Sequence, residues 1–129
     1  MSKTFLLIGT LLGALSVILG AFAAHGLKKI LPPDSITFET GVRYQFYHSF
    51  ALLAVGILLE RSSSSLLTWA GYCFIIGTLL FSGSLYALTL LKSTQNVGLA
   101  RLGLITPIGG IFFVVGWILL FFGLLKRVP

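Results

Sequence analysis

Four long apolar stretches divide the chain, and short polar segments separate them. A helix needs roughly 20 residues to cross the hydrocarbon core of a bilayer, which is about 30 Å thick. The inner parts of the stretches contain no Asp, Glu, Lys or Arg. Inside a bilayer only helices and closed barrels satisfy every backbone polar group, and barrel strands would be shorter and would alternate. The pattern therefore predicts one all-α domain with spans at about 5–24, 44–59, 66–91 and 102–125.

The second helix is predicted to begin before its apolar span. Pro32 and Pro33 interrupt the chain, and Asp34 and Ser35 are residue types that cap helix N-termini. A helix over residues 35–59 would be about 37 Å long at about 1.5 Å per residue, which exceeds the hydrocarbon thickness. Its first turns are therefore expected in the headgroup interface.

Small residues recur at intervals of seven in three of the predicted helices. The sets are Gly13 and Gly20, Gly77 and Ser84, and Gly109, Gly116 and Gly123, and Gly9 adds a GxxxG pair with Gly13. This spacing places small residues on one seam of a gently supercoiled helix, so that neighbouring backbones approach closely. We expect a tightly packed, left-handed four-helix bundle. The number of seams also suggests a homo-oligomer.

Composition agrees with a membrane location. Of the 129 residues, 57% are hydrophobic and 9% charged, and the mean hydropathy is +1.03, whereas an ordinary soluble domain has about 25% charged residues. The nine basic residues, which give a net charge of +6, lie at the span ends. There they can contact lipid phosphates, so membrane lipids rather than nucleic acid are the expected partners.

The ends of the chain bear on processing and orientation. An apolar run followed by Ala21-Phe22-Ala23 could imitate a secretory signal. The run is longer than a signal core of about 7 to 15 residues, so the first span is expected to be permanent. Basic residues divide almost evenly between the two faces of the membrane. Lys126 and Arg127, directly after the fourth span, favour cytoplasmic termini.

Four spans place the first and third loops on one side of the membrane, here called the loop face, and both termini on the other, the terminal face. The first and third spans end, and the second and fourth begin, at the loop face. Polar residues near these ends are therefore expected to form one layer. The candidate site residues are His25, Tyr44, Gln45, His48, Ser82, Tyr86, Arg101 and Thr106.

Several interpretations of this layer compete. The preferred one is hydrogen bonding between helices. A lipid or small amphipathic ligand is the next, because basic residues lie above aromatic ones. His25 and His48 could hold a metal or haem, although no third ligand accompanies them. A channel or transporter would need a wet path along Thr78, Ser82, Tyr86 and His48, yet the spans lack the ionisable side chain typical of ion-coupled transport.

Catalysis is not indicated. The acids are Asp34, Glu39 and Glu60, all near membrane surfaces. Neither a pair of catalytic carboxylates nor a buried Ser-His-Asp set can be assembled from them. The sequence therefore predicts a protein that is not an enzyme and has no cofactor.

Four motifs carry a resemblance to a known family. They are LGAFAAHG at 19–26, YQFYH at 44–48, FSGSLY at 81–86, and TPIGG at 106–110 with Gly116-Trp117 beyond it. In this order they resemble the domain of unknown function 423 family, the YgdD/YwdK-like small inner-membrane proteins of bacteria. Ala23 departs from the glycine that relatives often have. The resemblance covers nearly the whole chain, and it implies a four-span protein of the bacterial plasma membrane with no settled activity and no catalytic residues to carry over.

Overall fold

The computed structural model describes residues 1–27, 35–94 and 99–127. These residues form four long helices and no strand. Helix α1 covers Ser2–Phe22 and continues into a π-helical turn at Ala23–Leu27. Helices α2, α3 and α4 cover Ser35–Arg61, Ser65–Thr94 and Leu99–Leu125. All four are long and apolar enough to cross a membrane, so the predicted all-α, four-helix transmembrane fold is confirmed.

Consecutive helices provide the main packing. Helix α2 lies against α1 and α3, and α3 lies against α4 in the most extensive of these contacts. Helix α1 is the least buried of the four and α2 the most buried. The exposed side of α1 presents Leu7, Leu11, Val17 and Ile18, as expected of a helix whose outer surface faces lipid.

The structure shows where α2 begins and ends and how the helix that follows it is capped. Helix α2 begins at Ser35, where the sequence predicted a cap, but Pro32, Pro33 and Asp34 lie outside the described residues. Helix α2 ends at Arg61, and three serines connect it to α3. The hydroxyl of the last, Ser64, accepts a hydrogen bond from the Leu67 N–H at 3.3 Å and so caps α3.

The predicted glycine seam of α4 forms the α3–α4 contact. A Cβ added to Gly116 would lie 2.7 Å from Cε1 of Phe74, and one added to Gly123 would lie 2.8 Å from Cδ2 of Leu67. A Cβ at Gly109 would meet the backbone of Phe81. The three partners on α3 are themselves seven residues apart, which is the register expected of antiparallel helices in contact along one seam.

Glycines on α1 serve the α1–α2 contact in the same way. A Cβ at Gly9 would lie 3.0 Å from Cγ of Leu53 and 3.2 Å from the Ser49 carbonyl oxygen. Gly13 lies over the Ser49 hydroxyl. Both glycines of the GxxxG pair therefore face α2, and these glycines are used for packing within one chain.

Candidate functional site

Gln45 joins three helices through its amide group. Its Nε2 donates to the carbonyl oxygen of Leu12 on α1 at 2.9 Å. Its Oε1 accepts from the hydroxyl of Tyr86 on α3 at 2.6 Å. The side chain is 3% exposed. A buried polar group is costly unless it is paired, so both halves of the amide stabilise the α1–α2–α3 arrangement.

Tyr86 is seated against a glycine. A Cβ added to Gly41 would lie 2.8 Å from Cε1 of Tyr86, so only glycine leaves room for the ring at this position. The Gly41 carbonyl oxygen also accepts a hydrogen bond from the Ser82 hydroxyl at 2.6 Å. Phe38 lies on the ring at a centroid distance of 4.8 Å. Gly41 thus lets α2 and α3 approach closely enough for Tyr86 to reach Gln45.

His48 is the central residue of α2 and is 5% exposed. Its Nδ1 lies 2.7 Å from the Tyr44 carbonyl oxygen, and its Nε2 lies 3.0 Å from the indole nitrogen of Trp117 on α4. A carbonyl can only accept and an indole N–H can only donate, so Nδ1 must carry the proton and Nε2 must accept. A neutral imidazole with its proton on Nδ1 satisfies both partners.

Aromatic rings surround the imidazole. Phe113 of α4 stacks on His48 with centroids 3.6 Å apart and planes 9° apart. Phe74 of α3 lies 5.6 Å away, and Phe74 and Trp117 meet edge to face at 5.2 Å. His48, Phe74, Phe113 and Trp117 are here called the aromatic cluster. It holds α2, α3 and α4 together at the middle of α2.

The structure does not bring the two histidines together. His25 is exposed in the π-helical turn. Helix α1 runs antiparallel to α2, with Leu12 opposite Gln45 and Phe22 beside Phe38. His48 is therefore level with the region of Leu12, which lies about 20 Å along α1 from His25 at about 1.5 Å per residue.

This separation bears on the metal hypothesis. Both ring nitrogens of His48 are already engaged with Tyr44 and Trp117. Within the described ranges no group of three or more His, Cys, Asp or Glu side chains is placed to bind a metal ion. In this conformation the two histidines do not form a ligand set.

Several members of the expected polar layer bond across helices within residues 82–86 of α3. Ser82 bonds to Gly41, Tyr86 bonds to Gln45, and the Ser84 and Thr106 hydroxyls bond to each other between α3 and α4. The sequence placed His48 in the same layer because it lies near the start of the second apolar span. Helix α2 begins at Ser35, as the sequence predicted, and His48 lies at its centre. The Arg101 side chain lies outside the described residues.

The residues proposed to line a transport path are paired within the protein. The Thr78 hydroxyl donates to the Phe74 carbonyl oxygen of its own helix at 2.8 Å. Ser82, Tyr86 and His48 have the partners described above. Thr78 and Ser82 are also buried. Ser82, Tyr86 and His48 therefore present their hydrogen-bonding groups to neighbouring helices, and Thr78 presents its hydroxyl to its own helix.

A double-mutant cycle should detect the bond between Gln45 and Tyr86. Interhelical hydrogen bonds in membranes average about 0.6 kcal/mol and reach about 1.7 kcal/mol. We expect Gln45→Leu and Tyr86→Phe to show a coupling energy of about 1 kcal/mol, because the bond is short and buried. The free energy of unfolding in mixed micelles, measured by SDS titration, checks it.

Tyr72→Phe is the matched control for this cycle, since the exposed Tyr72 hydroxyl has the sulfur of Met1, at 3.5 Å, as its one hydrogen-bond partner among the described residues. Its removal should leave stability unchanged. A coupling energy near zero between Gln45 and Tyr86 would contradict the structural role of this bond.

A groove lies on the loop-face half of the α1–α2 contact, here called the α1–α2 groove. Its two adjoining parts have volumes of about 170 and 400 Å³ and share Val42 and Arg43. The remaining lining residues are Ser16, Val17, Gly20, Glu39, Phe46 and Tyr47. Neither Glu39 nor Arg43 forms an ion pair with a described residue, although their i, i+4 spacing would allow one. Both charged residues line the same part of the groove.

Sequence analysis missed two parts of this arrangement. Trp117 and Phe113 were not connected with His48, although a histidine and a tryptophan within apolar spans both need hydrogen-bond partners. The groove was missed because it depends on how far α1 and α2 diverge.

Comparisons with known proteins agree with the observed architecture. The family model described as "Protein of unknown function (DUF423)" matches residues 19–110. The chain is 42% identical to a UPF0382 membrane protein of Haemophilus influenzae, over 98% of this chain and 97% of the relative. It is 40% identical to UPF0382 membrane protein YwdK of Bacillus subtilis, over 92% and 93% of the two chains.

A third relative is UPF0382 inner membrane protein YgdD of Escherichia coli, which is 34% identical over 97% of this chain and 92% of its own length. No solved structure matches the chain. The resemblance seen in the four sequence motifs is confirmed. The protein is an integral membrane protein and belongs to the DUF423 family.

Proposed function

We propose that the protein is a non-enzymatic, lipid-interacting structural or accessory protein of the bacterial plasma membrane, with cytoplasmic termini. Its α1–α2 groove holds a phospholipid. The observation that carries this proposal is that two oppositely charged side chains, Arg43 and Glu39, line an apolar groove and form no ion pair with a described residue. Lys126 and Arg127, directly after α4, support the orientation.

The interior supports a structural role for the polar residues. Gln45, His48, Ser82 and Tyr86 each bond to a neighbouring helix, and His48 has no free ring nitrogen. Groups held in this way stabilise a bundle and are not free to bind or transform a substrate. The groove differs because its charged groups have no partner in the described chain.

The chemistry of the groove favours a zwitterionic headgroup with a primary ammonium. The Arg43 guanidinium suits a phosphate, and the Glu39 carboxylate suits an ammonium group that can donate hydrogen bonds. Below them, Val17, Val42 and Phe46 give an apolar surface for an acyl chain. Phosphatidylethanolamine carries all three features. Phosphatidylcholine lacks the N–H donors, and phosphatidylglycerol lacks the cation.

Lipid titration of the full chain in detergent, followed by native mass spectrometry, tests this proposal. We expect phosphatidylethanolamine to bind more tightly than phosphatidylcholine or phosphatidylglycerol at this site. Arg43→Gln should weaken its binding about fivefold, the effect of about 1 kcal/mol for one basic side chain at a membrane surface. Gly20→Leu, which fills the groove and removes no charge, should also weaken binding.

Lys3→Gln is the matched control, because Lys3 is basic and exposed but lies on the terminal face. It should leave phosphatidylethanolamine binding unchanged. Equal binding of the three lipids, or equal losses from Arg43→Gln and Lys3→Gln, would contradict a specific groove site.

A further inference from the structure

The terminal face carries a separate cleft between the α2–α3 loop and the end of α4. Its volume is about 640 Å³. It is here called the basic cleft and is lined by Arg61, Ser62, Ser63, Ser64, Ser65, Leu66, Gly123, Lys126 and Arg127. It lies at the opposite end of the helices from Arg43, so it is independent of the α1–α2 groove.

Three cations converge on the basic cleft from two parts of the chain. Arg61 ends α2, while Lys126 and Arg127 follow α4. None of the described lining residues is acidic, and none of the three cations forms an ion pair with a described residue. Bringing like charges together without a counter-charge is unfavourable, and a bound anion would relieve that repulsion.

Hydrogen-bond donors accompany the charges. Four consecutive serines line the cleft, and α3 begins at the last of them, Ser65. The first N–H groups of a helix have no partner within it, and its N-terminus carries partial positive charge. The Ser62 hydroxyl oxygen is shielded from water and has no hydrogen-bond partner in the described chain. A buried hydroxyl of this kind needs a partner, which an anionic oxygen would supply.

We propose that the basic cleft binds a phosphate-bearing anion. Arginine and lysine side chains, serine hydroxyls and a helix N-terminus are the groups with which proteins bind phosphate oxygens. The anion joins the α2–α3 loop to the end of α4, which are otherwise separate segments of the terminal face. Two sources offer this chemistry at a membrane surface, an anionic phospholipid headgroup and free phosphate.

Ligand-induced stabilisation of the full chain tests the proposal and separates the two sources. Thermal unfolding is followed in zwitterionic micelles with added phosphatidylglycerol, with phosphatidylcholine, or with inorganic phosphate against sodium chloride of equal ionic strength. A ligand that binds only the folded state raises the unfolding temperature. A rise with phosphatidylglycerol alone identifies the lipid headgroup as the ligand, and a rise with inorganic phosphate identifies the free anion.

Charge-neutralising variants locate the binding. Arg61→Gln should raise the dissociation constant of the active probe about fivefold. The double change Lys126→Gln with Arg127→Gln should raise it about 25-fold. Lys3→Gln removes a cation on the same face that does not line the cleft, so it should change the constant less than twofold. Arg43→Gln should have no effect here, which keeps this result separate from that for the α1–α2 groove.

Two results would overturn the proposal. One is that neither phosphatidylglycerol nor inorganic phosphate stabilises the protein beyond its control. The other is that Lys3→Gln weakens binding as much as Arg61→Gln. Binding would then depend on the overall positive charge of the terminal face and not on the residues of the cleft.

Discussion

His48→Ala is expected to lower the free energy of unfolding by about 3 kcal/mol. The change removes a ring stacked 3.6 Å from Phe113 and leaves a cavity between three helices. Losses of buried rings to alanine cost about 3 to 5 kcal/mol, and imidazole is smaller than the phenyl ring. The indole N–H of Trp117 also loses its acceptor, with a penalty of about 1 to 3 kcal/mol that water or lipid headgroups reaching the partly exposed ring would reduce.

The second histidine is a natural control for this experiment. His25 is exposed and contributes no hydrogen bond or ring contact among the described residues. His25→Ala should change the free energy of unfolding by less than about 0.5 kcal/mol. SDS titration in mixed micelles, with helix content followed by circular dichroism, measures both variants. Unchanged stability of His48→Ala would mean that His48 has a role other than packing.

Gly109→Ala is expected to destabilise the protein by about 3 kcal/mol. A Cβ at this position would meet the backbone of Phe81, with the Cα atom 2.9 Å away. Overpacking costs about 1 to 3 kcal/mol, and a backbone neighbour cannot move aside as a flexible side chain can. The helices α3 and α4 would have to separate along their whole seam, because Gly116 and Gly123 continue the same contact.

Gly103→Ala is the matched control on the same helix. A Cβ there would have no atom within 4 Å, and alanine is the better helix former by about 1 kcal/mol. This variant should be as stable as the unaltered chain or slightly more stable. The same unfolding titration compares the two alanine variants, and equal stability of both would show that α3 and α4 pack less closely than the structure indicates.

The number of helices and some of the contacts between them could be predicted from the sequence. Long uncharged stretches can cross a bilayer only as helices, so composition and length determine the class of fold. The seven-residue spacing of Gly109, Gly116 and Gly123 correctly identified a seam, because small residues in a membrane helix mark close approach.

Partner choice could not be predicted in the same way. The second helix begins at Ser35 as predicted and carries His48 at its centre, but the pattern of apolar residues does not indicate which side chain pairs with it. The partner of His48 depends on the register of α2 against α4, which are not consecutive. Tyr86 and Gln45 were placed in one layer, but their direct bond depends on the room that Gly41 leaves for the ring.

The bond from Gln45 to the Leu12 carbonyl has a consequence for biosynthesis. Helix α2 is the least apolar of the four, and it reaches the bilayer after α1 and before α3. When it arrives, the acceptor on α1 is already in the membrane, while Tyr86 and Trp117 have yet to enter it. Helix α1 therefore supplies the first intramembrane partner for the most polar helix, and it acts as a template for the insertion of α2 before the later helices complete its contacts.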